Sequence, residues 1–387
     1  MSFISEYSSN WHNLGSLLLY ISNDFQYKSS VIITEFEGTL IDRVSSTKLY
    51  NSMDPKDVTI HDELFIKKIY NDSKEHSIVV ISNSKNGNIH IDLLKKKFES
   101  FMNKHKFPIM ALFSLLPNKF CKPHTSSWKF LELYYKKIGN SCIHKSIVVS
   151  NNGGQTIEKI RCSVTMPDID RAFANNIGSV FYTVDEYMKP ELKEKYLWNK
   201  NTISPENRIK YLDILDQYHN PNIMEEYLTE DKLYIVIIYG APRSGKSSLA
   251  KCIKNEWKKH PSKITSVLDI INTDHGPKKR IKLCEKKIAD RISVIIDGNV
   301  HNNELRKPYQ ELAKKYNAKL INIEVNPGLG MAYLLNHIAV EESNKEDIFL
   351  YDDKYYKTYK GTVERTNDTI FYAPVIRRND ILMNYRF

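Results

Sequence analysis

The chain runs to 387 residues, 41% of them hydrophobic and 26% charged, a soluble globular composition whose length suits two domains better than one core. No apolar run approaches the length of a membrane span, which excludes a helical membrane protein. A formal net charge of +10 favours polyanionic partners, nucleic acid first.

The first residues, MSFISEYSSNW, have no basic region ahead of an apolar core, so no secretory leader is expected. Five scattered cysteines, odd in number and without metal-ligand spacing, imply reduced thiols and an intracellular setting, nucleus or cytoplasm. The run Ser30–Phe36 (SVIITEF) predicts a strand, followed closely by a pair of acids one residue apart, Glu35 and Glu37. Ser77–Asn83 and Ser146–Asn152 predict two further strands, with helices over His90–His105 and Ser126–Gly139 between them. Next comes a polar stretch, Lys189–Asp231, with prolines at 190, 205 and 221 and no strong periodicity, which reads as a connector. The alternation then resumes with strands over Leu233–Gly240, Ser266–Asp274, Ile292–Asn299 and Ala318–Asn326. Strands alternating with helices mark α/β architecture with mainly parallel sheets. The expected organisation is two such domains, 1–190 and 232–387, joined over 191–231.

The second region carries the strongest motif. Gly240-Ala241-Pro242-Arg243-Ser244-Gly245-Lys246-Ser247 fits Gly-x4-Gly-Lys-Ser, with a strand before it and a helical run from Ser247 and Ser248 after it. Small residues let successive amides curl around a phosphate, and the helix N-terminus adds favourable electrostatics. Lys246 would reach the terminal phosphates of ATP, and the Ser247 hydroxyl would ligate Mg²⁺. Asp274 and Asp297 end the next two strands, where an open parallel sheet forms its ligand crevice. Asp274 suits the group that accepts or orients an acceptor hydroxyl's proton, and Asp297 the acid near the metal. Lys278, Lys279, Arg280 and Lys282 follow directly. They read either as a grip on a polyanionic acceptor or as a solvated helix face.

The order of these pieces resembles the catalytic region of the polynucleotide kinase/phosphatase family. NWHNLGSLLLY, EFEGTLI, VVISNS, CKPHTSSW, VVSNNGG and DRAFANNIG carry the first half, and GAPRSGKSS, INTD and VIIDGN the second. No forkhead-associated module is expected ahead of them. The resemblance implies a haloacid-dehalogenase-like (Rossmannoid) phosphatase domain followed by a P-loop kinase domain. It implies 5′-hydroxyl phosphorylation and 3′-phosphate removal on DNA or RNA ends, as in DNA repair. On the kinase side Lys246, Ser247, Asp274 and Asp297 match. Where the family carries arginines on a late helix, this chain offers Asn336, His337 and Ala339, with Arg243 or Arg306 as stand-ins.

On the phosphatase side the resemblance places the attacking aspartate at Glu35, the proton-donating acid at Glu37 and a metal-binding aspartate at Asn151. Ser82 and Lys122 match the pair that holds phosphate. Glutamate is one methylene longer than aspartate, and misplacing a reacting atom by ~1 Å costs ~100-fold. The expectation is a pseudophosphatase that retains the means to grip phosphate, with a pure scaffold as the other reading. For the whole chain, a non-catalytic structural or assembly protein stands as the alternative to a kinase. An AT-biased composition and a degraded enzyme half would suit a large DNA virus.

Overall fold

A computed structural model of the chain describes residues 10–42, 59–84, 91–159, 162–198, 213, 220–259, 267–272, 275–341 and 353–373. The molecule falls into two compact units, the first built chiefly on Met1–Asn207, the second on Arg208–Ala339 and Tyr351–Ile381.

The first unit opens with β1 (Trp11–Asn13), β2 (Leu17–Ile21) and β3 (Ser30–Thr34). Helix α1 (Glu63–Asp72), β4 (Ser77–Asn83), α2 (Ile91–His105), β5 (Ile109–Ser114), α3 (Ser126–Lys137) and β6 (Lys145–Val149) follow. A hairpin of β7 (Thr156–Lys159) and β8 (Cys162–Thr165), then α4 (Ile169–Asn176), β9 (Val180–Tyr182) and α5 (Val184–Met188), complete it. The main sheet has the order β1-β2-β5-β4-β3-β6-β9. Its last five strands are mutually parallel, with β2 antiparallel to β5 and β1 antiparallel to β2. β4 and β5 are almost continuously apolar because helices cover both faces. Ile32, Ile78 and Val80 pack under α1 and α2 with Phe65, Phe98 and Phe101. Val31, Ile33, Val79 and Ile81 face the other way, onto Leu131 and Tyr135 of α3 and Phe173 of α4. This is the two-residue period of a strand read out on two cores.

The second unit contains α6 (Ile223–Glu226), β10 (Tyr234–Gly240), α7 (Lys246–Trp257), β11 (Leu268–Ile271), α8 (Pro277–Ala289) and β12 (Ser293–Asp297). It continues with α9 (Asn303–Lys315), β13 (Lys319–Val325), α10 (Leu329–Glu341), α11 (Asp353–Thr362) and β14 (Ile370–Tyr372). All five strands are parallel, in the order β11-β12-β10-β13-β14. The central β10 is buried throughout. Its even-numbered residues Tyr234, Val236 and Ile238 pack with α6 and α7, and its odd-numbered Ile235, Ile237 and Tyr239 pack with α8 and α9. Both units are thus α/β with mainly parallel sheets. Among the described residues, no helix is long and apolar enough to cross a membrane.

The described ends of the expected connector are folded. Tyr196, Leu197 and Trp198 lie on the first unit. The Leu197 amide donates to the Gly154 carbonyl at 2.9 Å. The Arg171 guanidinium sits 3.5 Å from the Trp198 ring centroid and 4.8 Å from that of Tyr196. Gly154 has φ +81°, and a Cβ there would meet the Leu197 carbonyl oxygen at 2.1 Å, so only glycine admits this strap. At the other end Asn220 bonds the Ala373 backbone in both directions, at 2.7 and 2.8 Å, and Ile223 and Leu228 enter the second core.

Candidate functional site

The phosphate loop leaves the C-terminal end of β10 and ends at the first residue of α7. Gly240 lies so close to β13 that a Cβ would meet the Val325 carbonyl oxygen at 2.3 Å and Ser244 Oγ at 2.7 Å. Gly245 takes φ +98° at the helix N-cap. Lys246 Nζ donates to the Gly240 and Ala241 carbonyls at 3.0 and 2.8 Å, over the loop. Loss of hydration, with some repulsion from Arg243, pushes its ammonium down to about 8 against the pull of Asp297. Pro242 is held through its carbonyl, which accepts from Tyr356 Oη of α11 at 3.3 Å. Ser247 and Ser248 are exposed on the first turn of α7, while Asp297 is buried at the end of β12, beside β10.

These residues fit a nucleoside polyphosphate. Ser244 is fully buried, and its Oγ has no hydrogen-bond partner among the described residues. The loop's N–H groups and Lys246 are the donors a phosphate requires. Ser247 and Asp297 are the oxygen ligands that would hold a magnesium ion. Asp274, the expected proton acceptor, lies outside the described residues. The basic run after it is not one charged face. Lys278, Lys279 and Lys282 are exposed, but Arg280 is buried, on the inward stripe with Cys284 and Ile288 that a four-residue spacing defines. Arg306 is no stand-in for a late-helix arginine. It is fully buried, donates to the Val300 carbonyl, Asn303 Oδ1 and the Glu364 carbonyl, and lies 4.8 Å from the Tyr239 ring centroid. Asn336 and His337 are buried in α10.

In the first unit Glu35 follows β3 directly, Ser82 lies near the end of β4, and Lys122 sits on the loop after β5. All three are buried and come together. Ser82 Oγ donates to Glu35 Oε1, and Lys122 Nζ to Glu35 Oε2. The same ammonium meets Asp170 Oδ1 at 2.6 Å, and Asp170 Oδ2 accepts from Ser150 Oγ at 2.5 Å and Asn152 Nδ2 at 2.7 Å. Two carboxylates therefore share one ammonium. Burial first, and the charge of Asp170 with it, lifts Glu35 to about 7, against the pull of Lys122 and the Ser82 hydrogen bond. Lys122 is held above the ordinary lysine range because both carboxylates outweigh its desolvation.

Glu37 and Asn151 go elsewhere. Glu37 Oε1 accepts from Lys97 of α2 at 3.2 Å, and Lys97 is 1% exposed. Asn151 Nδ2 donates to the Gly38 carbonyl at 3.1 Å and lies 2.8 Å from His61 Nε2. A carbonyl only accepts, so the amide's NH₂ faces both, and His61 Nε2 must be an acceptor. The imidazole proton then sits on Nδ1, 2.8 Å from Asp42 Oδ1. A magnesium ion does not fit this arrangement. The two acids nearest each other are bridged by an ammonium, and an NH₂ points where a third carboxylate is expected. Among the described residues, no group of three or more His, Cys, Asp or Glu side chains could hold a metal.

Sequence reasoning missed Asp170, Lys97, His61 and Asp42. Asp170 opens the DRAFANNIG segment, and Lys97 stands between Leu94 and Phe98 on the apolar face of α2, so both left a signal. His61 and Asp42 left none.

The sequence pattern of the family described as polynucleotide kinase 3 phosphatase matches residues 30–188. No curated protein matches the chain. Among solved structures, Kti12 of Chaetomium thermophilum in complex with ADP-AlF3 is 14% identical over 39% of this chain and 95% of its own, with a TM-score of 0.30. A protein of Mesorhizobium loti taken to be a HAD-like phosphatase is 11% identical over 41% and 93%, with a TM-score of 0.29. The hexameric APS kinase of Thiobacillus denitrificans is 12% identical over 76% and 59%, with a TM-score of 0.22. The fold described above rests on the strand orders, not on these scores.

Proposed function

We propose that this chain, whose residues 30–188 match the pattern of the polynucleotide kinase 3 phosphatase family, is an ATP-dependent 5′-hydroxyl polynucleotide kinase whose phosphatase-like half has lost its chemistry. The observation that carries the kinase reading is the phosphate loop at the end of the central strand, with Lys246 Nζ over the loop carbonyls and buried Asp297 beside it. In this reading Lys246 holds the terminal phosphates, and Ser247 and Asp297 hold magnesium. Asp274 takes the proton of the attacking hydroxyl. The net charge of +10 suits a nucleic-acid acceptor.

The phosphatase-like half supports the reading of lost activity. Ser82 and Lys122, expected to grip phosphate, are both committed to Glu35. A phosphate entering there would meet two carboxylates against one ammonium, so we read this half as scaffold rather than as a phosphate-binding site. Glu37, expected to give a proton, is paired with a buried lysine.

A second reading, a non-catalytic protein on the same fold, is favoured by the buried Asn336 and His337 where the resemblance expects arginines. The test is incubation with ATP, Mg²⁺ and oligonucleotides carrying a 5′-hydroxyl or a 3′-phosphate. Transfer to the 5′-hydroxyl is expected, lost in Lys246→Ala, with the 3′-phosphate retained. A native chain that transfers nothing would hand the case to the second reading, and rapid 3′-phosphate release would refute the scaffold assignment.

A further inference from the structure

We propose that Arg243 is a catalytic residue of the kinase half, gripping the transferring phosphoryl group from within the phosphate loop itself. The inference rests on the kinase reading above. As the phosphorus–oxygen bond to ADP breaks and the bond to the 5′ oxygen forms, the hydroxyl proton leaves to the base. The guanidinium donates hydrogen bonds to the non-bridging oxygens, which carry charge throughout.

Three observations lead here. The first is conformational. Arg243 has φ +61°, in the left-handed region where glycine is at ease and a side chain is strained. The backbone has little freedom to relax: Pro242 is tethered to Tyr356, and Ser244 is fully buried. A large side chain held in an unfavourable conformation, in a loop otherwise built of small residues and one proline, points to a task for that side chain. The second is electrostatic. The guanidinium lies near enough to Lys246 to add to the burial that pushes that ammonium down, against the pull of Asp297. Cationic groups drawn together at one loop, with the carboxylate of Asp297 beside them, suit a polyphosphate.

The third is elimination among the described arginines of the unit. Arg306 is spent on backbone carbonyls, Asn303 and Tyr239. Arg365 makes a fork to Glu324 at 2.5 and 2.8 Å. Arg280 is buried on the inward stripe of α8. Arg291 precedes the N-terminal end of β12, the end of the parallel sheet opposite the loop. Arg243 alone of these belongs to the phosphate loop.

The test compares native protein with Arg243→Gly and Arg243→Lys. Three quantities are read: the rate of 5′-phosphorylation, the affinities for ATP and ADP by calorimetry, and the melting temperature. Arg243→Gly is expected to melt no lower than native, because glycine adopts φ +61° freely. It should bind ADP as before, bind ATP more weakly than native does, and phosphorylate roughly 100-fold or more slowly. Lysine should restore the charge but not the planar fork, and so recover only part of the rate. An unchanged rate with an unchanged ATP-to-ADP ratio would overturn the proposal. So would a lowered melting temperature with equal loss of both nucleotides, which marks a structural role. A native chain that binds ATP but transfers nothing would overturn the kinase reading and the catalytic role with it, whereas a transferring native chain with an unchanged Arg243→Gly overturns the role alone.

Discussion

At the scale of single residues, the first unit turns on a proton count. Glu35, Asp170 and Lys122 bring two acids and one base into a buried site, so one carboxylate is left uncompensated. Burial first, and that surplus with it, is why Glu35 rises to about 7 while Lys122 stays charged. A carboxyl whose folded pKa exceeds its unfolded value binds more protons when folded. It therefore stabilises most below the unfolded pKa, and the benefit is lost as pH rises through the folded one. Native stability should carry a component, on the order of a few kcal/mol, that declines between about pH 4.5 and 7. Glu35→Gln makes the site neutral at any of these pH values, and should flatten the decline in a series of melting temperatures. A Gln variant with the same pH slope as native would show that Glu35 does not titrate there.

At the scale of elements, the phosphate loop is held by the close approach of β10 to β13 as well as by the Tyr356 and Lys246 hydrogen bonds. Gly240→Ala sets a methyl group against the Val325 carbonyl, which is backbone of the neighbouring strand and cannot rotate away. Overpacking of this kind costs roughly 1–3 kcal/mol. The variant should melt lower and bind ATP more weakly, as calorimetry would register; native-like behaviour in both would mean that β10 and β13 part easily. This loop was legible in the sequence because its glycines, lysine and serine are contiguous and the strand and helix flank them. The expected strand Ser30–Phe36 and helix His90–His105 correspond to β3 and α2 for the same reason: their periods are local. β2 and β5, runs of plain apolar residues, were not picked out, although they pair to form part of the sheet. The contacts of Glu37 with Lys97 and of Asn151 with His61 span 60 and 90 residues, and no local pattern encodes them. The strap at Tyr196–Trp198 was read as connector because its hold on Arg171 is a cation–π contact without periodicity.

At the scale of the whole molecule, the proposed reading assigns nucleotide binding to the second unit alone, and a melting experiment tests it. A ligand that binds only the folded form stabilises it by about 2.7 kcal/mol at a hundredfold excess over its Kd. ATP with Mg²⁺ is expected to raise the transition of the second unit in scanning calorimetry and leave that of the first in place. Lys246→Ala should abolish the rise. A 3′-phosphorylated oligonucleotide should leave the first transition where it is, because Ser82 and Lys122 are already bonded to Glu35. A rise of the first transition on adding it would mean that phosphate displaces the carboxylate.

The sharing of Lys122 between Glu35 and Asp170 also bears on ancestry and descent. Glu35→Asp, the single step toward an aspartate at this position, shortens the side chain by a methylene and draws it back from both Ser82 and Lys122. Alone it loosens Ser82 and Lys122 from that carboxylate, while Glu37 stays on Lys97 and Asn151 still turns an NH₂ toward Gly38. The variant gives up buried contacts to Ser82 and Lys122, and on the proposed reading it is expected to release no 3′-phosphate. An aspartate at position 35 alone therefore leaves positions 37 and 151 as they are, and the three sites would have to change together to give the acid set that the resemblance expects.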